Sequence, residues 1–277
     1  MKSRLGSLIG TAALIIGVLL SASPSFAQFP KLDDLASETL KEIKRLKPRR
    51  VAVADFRSSD GASLQQGHYF ALSLSTLLQD LAKQDFVVAS HTGFDGDLSR
   101  LHLTVEALAR GDSLRDAASK IAVEVLITGS VQKRGNSYFL QVMPVRVASA
   151  KWLPTITTTV QSNEFFESIF MPLPSEVPVL TGKDVAPDVS MPSCLYCPNP
   201  SYSDQARRAK FNGSGMFQVL VSPDGRAQQI RATKLIGYDL DEQAFYAIKE
   251  WKFRPATNKD GIPVAVIVPV EVTFRLF

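Results

Sequence analysis

The residue pattern with the clearest chemical potential is Cys194-Leu-Tyr-Cys197, which contains both cysteines of the chain. This spacing occurs in redox pairs and in half of a zinc site. A zinc site needs further ligands, and all three histidines lie in the other half of the sequence. A thioredoxin-like role needs a helix that starts at the motif, but Pro198 follows it directly. In an exported chain a local disulfide is the best interpretation, with free thiols and a redox or metal role as alternatives.

A catalytic site needs a nucleophile, a base and an orienting group that converge, and the sequence shows no such set. His68 is expected on the polar face of a long helix, whereas His91 and His102 flank a loop. A metal site formed by these two histidines is the disfavoured alternative. Asp55 follows the first predicted strand, where capping of the next turn is a simpler interpretation than catalysis. Residues 128–130 lack the lysine and the spacing of a phosphate-binding loop. The sequence therefore predicts no enzyme, no cofactor and no metal site.

The N-terminal residues 1–27 have the parts of a signal peptide. Lys2 and Arg4 form a positive start, residues 8–20 are apolar, and Ser25-Phe-Ala27 fits the small-residue cleavage rule. The apolar run is shorter than the roughly 20 residues that span a bilayer. We therefore predict a cleaved signal, a mature chain beginning at Gln28, and export. An uncleaved membrane anchor is the alternative.

Composition limits the remaining classes. With 45% hydrophobic and 21% charged residues the chain is typical of globular proteins. Its net charge of +4 over 277 residues is too weak to predict nucleic-acid binding. The length is sufficient for two domains of ordinary size.

Strands and helices alternate through residues 28–162. Such alternation predicts an α/β sheet domain with helices packed on the sheet. An amphipathic helix is expected first, ended by Pro48. The predicted elements are helices at 31–46 and 64–83, strands at 50–56 and 86–90, a polar loop with Gly93 and Gly96, helices at 104–109 and 113–121, and strands at 123–129 and 138–147 joined by a turn at 134–136.

Residues 163–199 are rich in proline and show no periodicity, which is typical of a semi-extended interdomain linker. The apolar residues at its start, at positions 165, 166, 169 and 170, are expected to pack on the first domain. A protein-docking patch is the alternative for them.

Residues 200–277 predict a small α+β domain in the order helix, two strands, helix, strand. Ser203 is expected to cap the first helix, and apolar alternation at 213–222 predicts a half-buried strand. Pro223-Asp-Gly225 then turns the chain into a second strand at 227–235. Asp239 and Glu242 have the spacing of a capping box before the second helix, and the last strand is expected at 264–276.

The same residues resemble the C-terminal domain of TonB, the energy-transducer family. Any single piece is weak, but the pieces in this order are specific. The resemblance covers roughly the last 80 residues and rests on these motifs: Asp224-Gly225, residues 241–247, Trp251-Lys-Phe-Arg-Pro255, Gly261-Ile-Pro263 and Val272-Thr-Phe-Arg-Leu276. The family's Gln-Pro-x-Tyr-Pro motif is represented by Asn199-Pro-Ser-Tyr-Ser203, in which the first and last residues differ.

This resemblance implies a function in binding extended segments of outer-membrane receptors by strand addition, in TonB-linked transport across the envelope. An exposed sheet edge offers unpaired backbone groups to such a segment. Trp251, Phe253 and Phe274 are expected in the core instead. The implied partner-binding residues are Asn199, Pro200, Tyr202, Gln229, Arg231 and Lys234.

Residues 48–162 are similar, mostly as a pattern, to the CsgG/FlgO/TolB-N-like group of envelope domains. The segment 122–131, Ala-Val-Glu-Val-Leu-Ile-Thr-Gly-Ser-Val, is the most characteristic part. That group implies binding to envelope proteins or assembly into homo-oligomers. The sequence therefore predicts a periplasmic binding protein whose partner is an outer-membrane TonB-dependent receptor or another envelope protein. The alternatives are an inner-membrane-anchored transducer coupled to an ExbB–ExbD-type motor, and an oligomeric structural envelope protein.

Overall fold

The computed structural model of the chain describes residues 30–59, 64–100, 122–180 and 188–276. The leader, His102 and the helices predicted at 104–109 and 113–121 lie outside the described residues. Within the described residues, no helix is long and apolar enough to cross a membrane.

The first part of the chain is built on a seven-stranded sheet with the order β3-β1-β4-β5-β6, in which β2 also pairs with β4 and β7 with β5. Strands β3, β1 and β4 are parallel, while β4, β5 and β7 form an antiparallel meander. Gly135 has a φ of +57° in the tight turn between β4 and β5, which favours glycine. The strands are β1 (Arg50–Val53), β2 (Arg57–Ser59), β3 (Val87–Val88), β4 (Val125–Arg134), β5 (Ser137–Arg146), β6 (Lys151–Trp152) and β7 (Ile156–Gln161).

Three helices cover the two faces of this sheet: α1 (Pro30–Lys44), α2 (Leu64–Ala82) and α3 (His91–Arg100). Helices α1 and α2 bury their apolar faces in the main core, and Phe94 of α3 packs with Ala52 and Ala54 on the opposite face. The polar loop predicted at Gly93 and Gly96 is wrong, because these residues belong to α3. The Ser90 hydroxyl accepts a hydrogen bond from the Gly93 N–H at 3.3 Å, which supports the first turn despite the two glycines.

The segment predicted to be a linker contains regular structure. Helix α4 (Glu164–Ile169) begins at Asn163, whose side chain accepts a hydrogen bond from the Phe166 N–H at 3.0 Å. Further along the segment, β8 (Ser193–Tyr196) pairs with β11 (Lys252–Arg254). The prolines therefore interrupt the segment without preventing short elements that are held by tertiary contacts.

The C-terminal part forms a three-stranded antiparallel sheet with the order β10-β9-β14. Helix α5 is capped as predicted, because the Ser203 hydroxyl accepts from the Ala206 N–H at 2.9 Å. Gly225 has a φ of +80° in the turn between β9 and β10, where an added Cβ would lie 2.1 Å from the Phe253 carbonyl oxygen. The elements are α5 (Asp204–Ala209), β9 (Gly213–Val221), β10 (Ala227–Lys234), α6 (Leu240–Lys249), β12 (Ala256–Thr257), β13 (Pro263–Val264) and β14 (Val266–Phe274).

The predicted capping box at the start of α6 is wrong. Asp239 has a left-handed backbone, with a φ of 58°, and its side chain makes no capping bond. The carboxylate of Asp241 accepts two hydrogen bonds from the preceding turn instead, from the N–H groups of Ile236 and Gly237, both at 2.8 Å. The capping therefore joins α6 to the end of the β10 segment.

The two parts form a two-domain α+β arrangement with a shared core. Phe165 of α4 packs against Tyr69 of α2 and Phe245 of α6, with ring centroids 5.6 Å apart in each pair. The Tyr238 hydroxyl donates to the Gln79 side chain at 2.6 Å. This bond adds a polar contact between the turn before α6 and helix α2. Helix α4 therefore lies between the domains and contacts both, where the sequence predicted packing on the first alone.

Candidate functional site

Beyond Ile267, the outer side of β14 has no strand partner among the residues that the structure describes. At Ile267 the N–H donates to the Pro178 carbonyl at 2.9 Å, and the Ile267 carbonyl accepts from Leu180 at 2.8 Å. Backbone groups alternate in direction along a strand of an antiparallel sheet, so those of Pro269, Glu271 and Thr273 also face away from β9. In the part of the chain that the structure describes, no strand pairs with them. The side chains of Pro269, Glu271 and Thr273 are exposed.

The opposite edge of the sheet, β10, has a neighbour. Helix α4 lies along β10, and the Ser168 hydroxyl donates to the Ile230 backbone carbonyl at 3.4 Å. Of the residues predicted to bind a partner, Gln229 and Arg231 are half-buried and Lys234 is exposed. The contact with α4 therefore occupies part of the edge that the sequence predicted as the docking strand.

Of the other predicted residues, Tyr202 has a contact with the sheet. The Tyr202 ring packs edge-to-face on Phe274, the last residue of β14, with centroids 5.4 Å apart. Asn199 is exposed and Pro200 is half-buried. The structure thus brings Tyr202 to the β14 side of the sheet and leaves Gln229, Arg231 and Lys234 in β10.

The disulfide between Cys194 and Cys197 is present, as the spacing predicted. Cys194 lies in β8 opposite Phe253 of β11. The Trp251 indole N–H donates to the Pro198 carbonyl at 3.0 Å, so the chain after the disulfide is attached to the second domain. The disulfide bridges Cys194 in the exposed strand β8 to the residue just after it, and pairing with β11 attaches this strand to the domain.

A cluster of Asp55, His68 and His91 lies in the first domain near the end of β10. Gly67 allows α2 to approach the chain after β1 closely, since an added Cβ would lie 2.2 Å from the Phe56 carbonyl oxygen. This approach places His68 Nδ1 at 2.9 Å from Asp55 Oδ1, and His91 Nε2 lies 2.7 Å from the same oxygen. The prediction that Asp55 caps a turn is wrong, because its carboxylate bonds to the two histidines instead. His68 is 33% exposed and has this polar partner on its side of α2.

The Asp55 carboxyl is held in its ionised form. Burial raises its pKa, but the hydrogen bonds from His68 and His91 outweigh burial and hold the pKa well below the usual range. No sequence pattern indicates this cluster, because Asp55 lies between β1 and β2, His68 lies in α2 and His91 begins α3.

Acidic side chains gather where α6 meets the first domain. Burial raises the pKa of Asp241 to about 6, although two backbone N–H groups oppose the rise. Burial and the neighbouring Asp239 raise the pKa of Glu242 to about 7, against the hydrogen bond from Asn163. Asp239 itself has a pKa raised to about 6 by burial.

Charged groups from three other elements face Asp239. Asp33 of α1 and Asp80 of α2 raise its pKa, and Arg208 of α5 lowers it. Among the described groups that act on Asp239, the single cation Arg208 is thus outnumbered by the carboxyls of Asp33 and Asp80. Ionisation of the whole cluster is therefore unfavourable in the folded state.

Known proteins match the second domain. Residues 198–276 match the family model described as Gram-negative bacterial TonB protein C-terminal. Over 78 residues the chain is 32% identical to "Protein TonB" of Vibrio cholerae serotype O1 (strain ATCC 39315 / El Tor Inaba N16961), a match that covers 28% of this chain and 32% of that protein. The chain therefore spans about a third of the length of this relative.

Solved structures show a lower likeness. The LpoB C-terminal domain from Salmonella enterica is 15% identical with a TM-score of 0.38, covering 48% of this chain and 97% of that chain. The Pseudomonas aeruginosa TonB CTD is 21% identical with a TM-score of 0.27, covering 32% of this chain and 88% of that chain. At these TM-scores the likenesses support no conclusion about this protein.

The family match coincides with the structure of the second domain. The matched range contains both helices α5 and α6 and the whole β10-β9-β14 sheet. The motifs at Asp224-Gly225, 251–255 and 272–276 all lie within it. Residues 198–276 of this chain therefore form a TonB C-terminal domain.

Proposed function

We propose that this protein acts in the cell envelope, where its TonB C-terminal domain binds an extended segment of an outer-membrane receptor by strand addition. The observation that carries the proposal is the outer edge of β14, which has no strand partner in the described part of the chain and lies in a domain that matches this family. A partner strand pairs with backbone N–H and C=O groups, so binding depends little on the partner's side chains. The predicted signal peptide supports a periplasmic location for the mature chain.

The β14 edge suits docking better than the β10 edge. The Ile230 carbonyl already accepts the Ser168 hydroxyl, and α4 lies beside that strand. On β14, Glu271 and Thr273 direct their backbone groups outward beside the Tyr202 ring, which packs on Phe274. Pro269 has no N–H and limits pairing at the other end of the strand. Docking is therefore centred on residues 271–273.

Thr273→Pro is expected to weaken receptor binding by about tenfold or more, through loss of one outward N–H and steric obstruction by the ring. The change leaves the pairing of β14 with β9 intact, because the N–H at this position faces away from β9. Binding is measured by titrating purified plug domains of the host's outer-membrane receptors onto the immobilised chain.

Two variants control this experiment. Thr273→Val keeps the N–H and should bind like the native chain, and Lys234→Pro tests the β10 edge that the sequence predicted. Normal binding by Thr273→Pro together with loss of binding by Lys234→Pro would place docking at β10 and refute the β14 assignment.

A further inference from the structure

The side chains of Asp55, His68 and His91 have the geometry of a metal-ligand set. One ligand atom from each lies within 4.8 Å of the others. The two imidazole rings are tilted by 57° with centroids 5.0 Å apart, so both can direct a nitrogen toward a common point near Asp55. Two imidazoles and one carboxylate are a donor set that suits Zn²⁺ and related transition metals.

The second nitrogen of His91 provides an independent argument. His91 Nδ1 lies 2.9 Å from the Val53 carbonyl oxygen, which can only accept a hydrogen bond, so this nitrogen carries the proton. Nε2 is then the ring nitrogen that faces the Asp55 carboxylate, at 2.7 Å from Oδ1, where it either donates a proton to the carboxylate or offers its lone pair to a metal ion. A metal ion bound here takes the place of that proton between His91 and Asp55. Metal-binding histidines commonly donate their other N–H to a backbone carbonyl in this way.

The surroundings leave one side of the cluster accessible. The His91 side chain is fully buried, whereas those of His68 and Asp55 are 33% and 40% exposed. Asp55 and His68 line a cavity of about 400 Å³ that is also lined by residues 232–235 of the second domain. An ion held by the three side chains can therefore take a water or another ligand from the cavity, as four-coordinate sites with three protein ligands do.

We propose that Asp55, His68 and His91 bind a divalent transition-metal ion at the junction of the two domains. His91 supplies Nε2 from the buried side, His68 supplies Nδ1 from α2, and Asp55 supplies a carboxylate oxygen that neutralises part of the charge. The site does not depend on receptor binding at β14.

The test is a Zn²⁺ titration of the purified chain without a histidine tag, in competition with a chromogenic chelator. One ion per chain is expected. His68→Ala and Asp55→Asn should each weaken Zn²⁺ binding by about tenfold or more, as loss of support at a metal site commonly does. Co²⁺ in place of Zn²⁺ should give the absorption of a low-coordinate site with nitrogen ligands, which both variants lose.

Asp224→Asn is the matched control, since this exposed carboxylate lies in the turn between β9 and β10 and pairs with Arg226. It should leave Zn²⁺ affinity unchanged. Circular dichroism and thermal melting are used to check that His68→Ala, a change at a partly exposed position, is folded. Absence of stoichiometric Zn²⁺ binding by the native chain overturns the proposal, as does equal affinity in the native chain and folded His68→Ala.

Discussion

Phe165→Ala is expected to lower the free energy of unfolding by about 3–5 kcal/mol, the usual cost of removing a buried phenylalanine. Phe165 is fully buried in α4. Its ring contacts Tyr69 of the first domain and Phe245 of the second, each with centroids 5.6 Å apart. Removal of the Phe165 ring therefore leaves a cavity at which both domains lose a contact. Chemical denaturation followed by circular dichroism and by tryptophan fluorescence measures the loss.

Phe139→Ala is the matched control for this change. Phe139 is half-buried in β5 and packs under the Arg134 guanidinium at 3.9 Å from the ring centroid. Its removal should cost clearly less, because part of the ring is already in contact with water. Equal losses in the free energy of unfolding for the two variants would contradict a stabilising role of α4 between the domains.

Raising the pH from about 4 to 8 is expected to lower the free energy of unfolding by several kcal/mol. Asp239, Asp241 and Glu242 have folded-state pKa values of about 6, about 6 and about 7, above their ordinary values of 3.8, 3.8 and 4.5. The folded state thus binds more protons in this window, so stability falls as pH rises. Each group contributes at most about 3 kcal/mol. The lowered pKa of Asp55 makes stability rise with pH instead, but this change occurs below about pH 4.

Denaturant unfolding at a series of pH values measures this slope. Glu242→Gln should reduce the fall in the free energy of unfolding by the contribution of one group, since the amide cannot ionise. The amide oxygen can still accept from Asn163, which lies 3.3 Å from the native carboxylate. The exposed Glu250→Gln, at the end of α6, should leave the slope as in the native chain. Stability that rises steadily from pH 4 to 8 would contradict the assignment of raised pKa values to this cluster.

Local signals in the sequence predicted much of the second domain. The Ser203 cap, the β9–β10 hairpin and the last strand depend on residues close together in sequence, so their spacing was sufficient. The capping box failed because Asp239 has a left-handed backbone, which directs capping to Asp241. Helix α3 was missed because two glycines suggested a loop, while Ser90 and the buried Phe94 support a helix.

The contacts between distant residues could not be predicted in the same way. Asp55, His68 and His91 meet because α2 passes close to the chain after β1 at Gly67, which is a tertiary event. The same holds for Phe165, whose partners are 96 residues before and 80 residues after it in sequence. The position of α4 beside β10 changes which sheet edge is open. No sequence pattern indicates which of the two sheet edges α4 covers.

Residue-resolved amide hydrogen exchange tests the central claim most directly. Peptides covering the periplasm-exposed N-terminal segments of the host's outer-membrane receptors are added to the labelled chain. Strand addition at β14 predicts slowed exchange at the Glu271 and Thr273 amides, which face away from β9, with little change in β10. Slowed exchange confined to residues 229–234, or peptide binding without protection in β14, would contradict the account.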